Sequence, residues 1–251
     1  MVGKFLVRGM LAGIAAGLVT FCVARIAGEP QVDVAIAFEA KADQAKGEAP
    51  EPELVSRQTQ SGIGLFTGVM VFSTALGGLF ALVYAYAHGR AGRLGARALA
   101  AWLAAAAYIA IVIVPALKYP PNPPAIGDPE TIGLRTGLYF TMIAVSIAAM
   151  VFSLSVRRHA APRLGTWNAS IAGGLTFVVI VTAVQLALPV INEVPADFPA
   201  AVLWRFRVVS LGMQLVMWTT IALVFGAAIE RLTRGHHRNP SWQHSKSAST
   251  P

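Results

Sequence analysis

Formal charge is absent from six stretches of this chain, and almost all of its charge sits between them. The uncharged stretches are residues 9–24, 58–89, 98–117, 136–156, 164–192 and 208–229. A membrane-crossing helix needs about 20 mostly apolar residues to cover roughly 30 Å of hydrocarbon. The five later stretches meet that length. The first is shorter, but Arg8 and Arg25 flank it and can reach the interfaces along their own stems. The pattern predicts an all-α, polytopic integral membrane helical bundle with six transmembrane helices. It forms a single transmembrane domain over residues 1–235, followed by a disordered tail over 236–251.

Glycine and proline add detail. Gly9, Gly13 and Gly17 recur every fourth residue and share one helix face, where a second backbone can approach closely. That ladder favours a retained first helix over a cleaved signal peptide spanning 1–27. The segment 28–60 holds Gly28-Glu29-Pro30 and the Pro50-Glu51-Pro52 break. It reads either as a short interfacial helix over 32–46 or as an exposed acidic loop. Ile63-Gly64-Leu65-Phe66-Thr67-Gly68 resembles Ile132-Gly133-Leu134-Arg135-Thr136-Gly137 at an offset of 69 residues. Helices 3 and 5 both leave through proline, Pro115 and Pro189. These features suggest three hairpin repeats, while close packing at small-x-x-x-small positions explains the same match without repetition.

Composition agrees with a lipid environment. Hydrophobic residues make up 55% of the chain and charged residues 13%, against about 25% charged in soluble domains. The net charge of +8 comes from basic residues at helix ends. No aromatic-basic platform accompanies them, which argues against nucleic-acid binding. The single cysteine, Cys22, cannot form an intramolecular disulfide.

The charges also sort. Lys4 and Arg8, then Arg90, Arg93 and Arg97, then Arg157, Arg158 and Arg163, then Arg231, Arg234, Arg238 and Lys246 fall on one side of six crossings. Eleven of the twelve acidic residues fall on the other side, all but Glu230. Basic connections remain cytoplasmic, so both termini are expected in the cytoplasm of a multi-pass protein.

Candidate chemistry gathers in the second and third outer loops. Proline fixes φ and removes an amide donor, so these loops are expected to be stiff. One presents Asn122, Asp128 and Glu130 before Arg135. The other presents Asn192, Glu193 and Asp197 before Arg205 and Arg207. The carboxylates and amides are the candidate metal or substrate-entry set, an oxygen-rich vestibule for a divalent cation. On the alternative reading Asp128 and Asp197 pair with Arg135, Arg205 or Arg207, or cap helix starts. Within the spans the polar groups are few, chiefly Gln185 and Gln214, and no Asp, Glu, Lys or His lies deep in a span. Six methionines are spread over the helices, where apolar packing is the default. His236, His237 and His244 are weak candidates for a cytoplasmic metal site. No P-loop, H-E-x-x-H or C-x-x-C occurs, so no enzyme activity is expected and ATP hydrolysis does not lie in this chain.

The loop motifs P-A-L-K-Y-P-P-N-P-P-A-I-G-D-P at 115–129, N-E-V-P-A-D-F-P at 192–199 and L-W-R-F-R at 203–207 resemble those of the CbtA family, predicted cobalt transporter subunits of bacteria. The resemblance extends over nearly the whole chain. It implies a membrane subunit of a divalent transition-metal uptake system in the bacterial inner membrane, linked to cobalamin synthesis. Co²⁺ or Ni²⁺ would be its transported substrate, with no permanently bound cofactor. It also implies a partner, a small one-helix His-rich CbtB-like subunit. The family is usually described with about five crossings, one fewer than the charge sorting gives. A homo-oligomer, or a non-transporting scaffold or regulatory subunit, is compatible with the same residues.

Overall fold

The computed structural model describes residues 2–47, 54–90, 92, 94–124 and 126–237. Its long elements are helices. α1 (Val2–Val23) runs through a π-helical segment, Ala24–Gly28, into α2 (Glu29–Lys46). α3 (Arg57–Thr59) leads through a second π segment, Gln60–Gly64, into α4 (Leu65–Ala87). α5 (Ala96–Ala107) passes through a third, Tyr108–Ile113, into α6 (Val114–Lys118). A 3₁₀ turn at Pro129–Thr131 precedes α7 (Ile132–Ala187), and α8 (Ala200–His237) follows.

Among the described residues, five helical stretches are long and apolar enough to cross a bilayer: Val2–Lys46, Arg57–Ala87, Ala96–Lys118, Ile132–Ala187 and Ala200–Leu232. The 56-residue α7 is two helices joined at Gly165, whose φ of 75° and ψ of 163° are not helical. Unbroken, it would run about 84 Å at ~1.5 Å per residue, nearly three times the hydrocarbon thickness. Instead its arms fold back on each other. Arg157 Nε donates to Ser170 Oγ at 3.0 Å, and a Cβ at Gly173 would lie 2.9 Å from the Ser153 carbonyl oxygen. Residues 20 apart in sequence can touch in this way only across a reversal. The basic turn expected over 157–167 therefore remains helical almost throughout, and the reversal is concentrated at Gly165, where a positive φ costs glycine little.

The expected alternatives for 28–60 resolve toward a helix. It starts earlier than position 32, at Glu29, because Pro30 is tolerated in a first turn. It ends where Gly47 adopts φ 74° and its N–H returns to Asp43 and Gln44.

The chain divides into two compact units. The first comprises the described residues within 1–19, 67–104 and 217–251. Here the glycine ladder seats α1 on α4: a Cβ at Gly9 would overlap the Gly77 carbonyl, at Gly13 the Ser73 carbonyl, and at Gly17 the Ser73 hydroxyl. Aromatic rings fill the rest. Tyr84 lies 4.9 Å from Phe225 and 5.8 Å from Phe5, both edge-on, and Phe80 lies 5.4 Å from Phe225. Arg97 pairs with Glu230 at 2.6 Å.

The second unit comprises residues 20–66 and 105–216. One cluster, Val114, Met142, Ala149 and Val181, packs α6 between the two arms of α7. Another, Ala35, Ile126 and Phe198, lays α2 against both proline-rich loops, with Phe38 edge-on to Phe198 at 5.0 Å. Large apolar side chains also point outward along the helices. Leu79, Trp167, Leu175, Leu186 and Leu223 are each more than half exposed, which suits a surface facing lipid rather than water.

Candidate functional site

The two proline-rich loops, 119–131 and 188–199, lie in the second unit and are bound to each other. Tyr119 OH donates to the Pro189 carbonyl at 2.9 Å. The Asp128 amide donates to Glu193 Oε2 at 2.9 Å, and Thr131 Oγ1 donates to Glu193 Oε1 at 2.5 Å. Arg135 Nε stands 3.4 Å from Glu193 Oε2. These partners all favour the charged carboxylate. The Thr131 hydrogen bond and the Asp128 amide, with Arg135 behind them, hold the Glu193 pKa below the usual carboxylate range. Asp128 turns inward on its own loop, its Oδ1 accepting from the Glu130 amide at 2.9 Å. That arrangement lets the 3₁₀ turn begin.

Beneath these loops is a cavity of about 720 Å³. Its polar lining includes Lys118, Asn122, Arg135, Tyr139, Asn192, Glu193, Arg207, Ser210 and Gln214. Val112, Ile126, Ile132, Ile191, Val194 and Leu211 supply apolar wall. Arg207 is half-buried. It donates from a terminal nitrogen to Asn122 Oδ1 at 2.8 Å, while its Nε is buried without a hydrogen-bond partner. Three cations thus face one carboxylate, and the lining carries a net positive charge.

The sequence candidates separate accordingly. Asn122, Asn192, Glu193, Arg135 and Arg207 come together at the cavity. Asp128, Glu130 and Asp197 are exposed and do not line it. Arg205 lines a smaller pocket of about 290 Å³ with Ile26, Pro30 and Trp204. The arginine expected to meet a carboxylate at the start of α7 does so, but its partner is Glu193 rather than Asp128 or Asp197. Among the described residues, no three His, Cys, Asp or Glu side chains are grouped to hold a metal ion. His236 and His237 end α8, and His244 lies outside the described residues, as do Arg93 and residues 238–251 of the expected tail.

Sequence reasoning missed Lys118, Thr131 and Tyr139 at this site. Lys118 and Thr131 stand in or beside the quoted loop motif, but Asp128 balances Lys118 within it, so a charge count over the motif gives no sign of the basic character of the cavity. It also missed a second clamp. Arg57 pairs with buried Glu29, and with Asp33 at 2.9 Å, joining α3 to the first turns of α2.

Comparison with known proteins gives one finding. A family model described as probable cobalt transporter subunit (CbtA) matches residues 2–230. No curated protein and no solved structure matches the chain.

Proposed function

The chain belongs to the CbtA family of probable cobalt transporter subunits and is a membrane subunit of such an uptake system, and from that premise we propose that the cavity beneath the two motif loops receives the cobalt cargo. The observation that carries the reading is that the loop motifs, 60 and more residues apart in sequence, converge on one cavity. Co²⁺, or Ni²⁺ in its place, is the transported substrate. Six crossings follow if each arm of α7 spans the bilayer. The charge sorting then puts both termini in the cytoplasm and the proline-rich loops on the outer face of a bacterial inner membrane. A small His-rich CbtB-like subunit supplies nitrogen ligands that the described residues of this chain do not assemble. The metal delivered serves cobalamin synthesis.

Radiolabelled cobalt accumulation tests this in cells with and without the chain, and with and without its partner. Uptake should require both. Removing residues 236–251 should leave uptake in place, and abolition by that truncation would move the site to the opposite face. The scaffold reading is favoured by one observation, the missing cluster of metal-ligating side chains among the described residues. It prevails if uptake is unchanged without the chain while the partner's abundance falls.

A further inference from the structure

The charge of the cavity is wrong for a bare divalent cation. Lys118, Arg135 and Arg207 line it against Glu193 alone. Glu193 is already committed to Arg135, Thr131 and the Asp128 amide. That leaves two cations without a counter-charge, since neither Lys118 nor Arg207 joins an ion pair among the described residues. Arg207 is fixed from one side only, by the neutral oxygen of Asn122 at 2.8 Å, and its buried Nε has no acceptor. A guanidinium presents a planar fork of donors matched to a carboxylate or phosphate. A buried charged donor left without an acceptor is costly, and an incoming anion removes that cost. Around Asn122 the loop offers few amide donors, because the prolines on both sides of it carry no N–H. Recognition therefore falls to the side chains. The volume, about 720 Å³, suits a small organic molecule.

We propose that this cavity is an oxyanion site, binding a carboxylate or phosphate group between Arg207 and Lys118 with Arg135 beside them. It rests on the cobalt reading in one respect: the metal then arrives as a negatively charged chelate whose carboxylates engage the cations, not as a hydrated ion.

The test uses the full chain in nanodiscs of phosphatidylcholine, titrated calorimetrically with citrate, inorganic phosphate, cobalt citrate and Co²⁺ alone. Citrate and cobalt citrate should bind saturably and weaken with salt. Arg207→Gln and Lys118→Gln should each weaken binding tenfold or more. Arg207→Lys should recover part of the loss, and Arg163→Gln, at the exposed turn of α7, should change nothing. A melting curve for each variant separates lost binding from lost fold. Nanodiscs containing phosphatidylglycerol distinguish the source of the anion. If a lipid headgroup is the ligand, this lipid abolishes citrate binding and co-purifies only when Arg207 is present. Either source supports an oxyanion site. Absence of saturable oxyanion binding to folded protein in both membranes overturns it, as does Co²⁺ binding alone that Arg207→Gln leaves intact. Anion binding without any effect of the chain on cobalt uptake would refute the cobalt reading and leave the site. Chain-dependent uptake without anion binding would do the reverse.

Discussion

Gly13→Ala should destabilise the protein, while the same change at Gly137 should not. Gly13 sits where α1 approaches α4. A Cβ there would overlap the carbonyl oxygen of Ser73 and come within 2.9 Å of Thr74 Cα. Carbon atoms settle at about 3.5–4.0 Å, so the helices must part by roughly 0.5–1 Å or more. Both colliding groups are main chain and cannot swing aside. Overpacking of this kind costs about 1–3 kcal/mol, offset by up to ~1 kcal/mol of helix propensity gained over glycine. Because both groups are main chain, the clash falls in the upper part of that range, about 2–3 kcal/mol, and the net loss is about 1–2 kcal/mol. Gly137 has the same spacing from Gly133 as Gly13 has from Gly9, yet a Cβ there meets nothing within 4 Å. Only the propensity term remains, a gain of up to ~1 kcal/mol. Tryptophan fluorescence melts in detergent or nanodiscs measure both. For a chain of this size, at roughly 2–4 °C per kcal/mol, Gly13→Ala should lower Tm by about 2–8 °C and Gly137→Ala should leave it unchanged or raise it. Equal shifts at the two positions would refute the ladder as the contact that seats α1.

Three further outcomes are expected. Glu193→Gln should loosen the loops, raising amide exchange at residues 126–131 several-fold and leaving the interior of α8 unaffected. Because the Glu193 pKa is lowered, its bracing is complete above the unfolded carboxylate value of about 4.3 and is lost as pH falls below that value through the depressed one. Exchange corrected for intrinsic rates should therefore be flat from pH 7 to 5 and rise only beneath that window, and a rise near pH 6 would contradict it. Gly127→Ala should do similar damage, because φ is 130° and a Cβ would overlap the Arg135 guanidinium. The strain is on the order of 1–3 kcal/mol, read as a lower Tm together with the same loop exchange. Gln185→Leu should cost about 0.6–1.7 kcal/mol, seen as a small drop in Tm, by removing the bond to the Val114 carbonyl at 3.0 Å.

Much of the architecture was legible because a bilayer leaves few options: uncharged runs of sufficient length become helices, and Gly9, Gly13 and Gly17 could be read as a contact. The same spacing misleads at Gly68, Gly133 and Gly137, where no neighbour approaches. Spacing places residues on a face but does not say what that face meets. The loops were legible as polar, and Asn122, Glu193 and Arg207, singled out from the sequence, do line one cavity. Their partners were not legible, because Thr131–Glu193 and Asn122–Arg207 are contacts 62 and 85 residues apart. The character of the site was hidden for the same reason. Asp128 spends its carboxylate on its own turn and Glu193 on Arg135, so counting carboxylates in the loops overstated the negative charge that reaches the cavity.

The irregular helix beside the cavity explains how its wall stays fixed in lipid. Pro115 has no N–H, so the carbonyl four residues earlier loses its donor, and the ring crowds the preceding turn. The π segment Tyr108–Ile113 lies directly before it and widens the helix where that strain falls. Each carbonyl exposed by the change would cost several kcal/mol in hydrocarbon if unpaired. Side chains from neighbouring elements add bonds to two carbonyls of this irregular stretch: Ser146 Oγ donates to the Ala110 carbonyl and Gln185 Nε2 to that of Val114. Tyr108 in turn donates to the Leu211 carbonyl of α8 at 3.1 Å. Val112 and Ala116, which line the cavity, lie among these attachments. Gln185, one of the few polar residues within a span, ties the second arm of α7 to the proline-broken helix whose Val112 and Ala116 line the cavity.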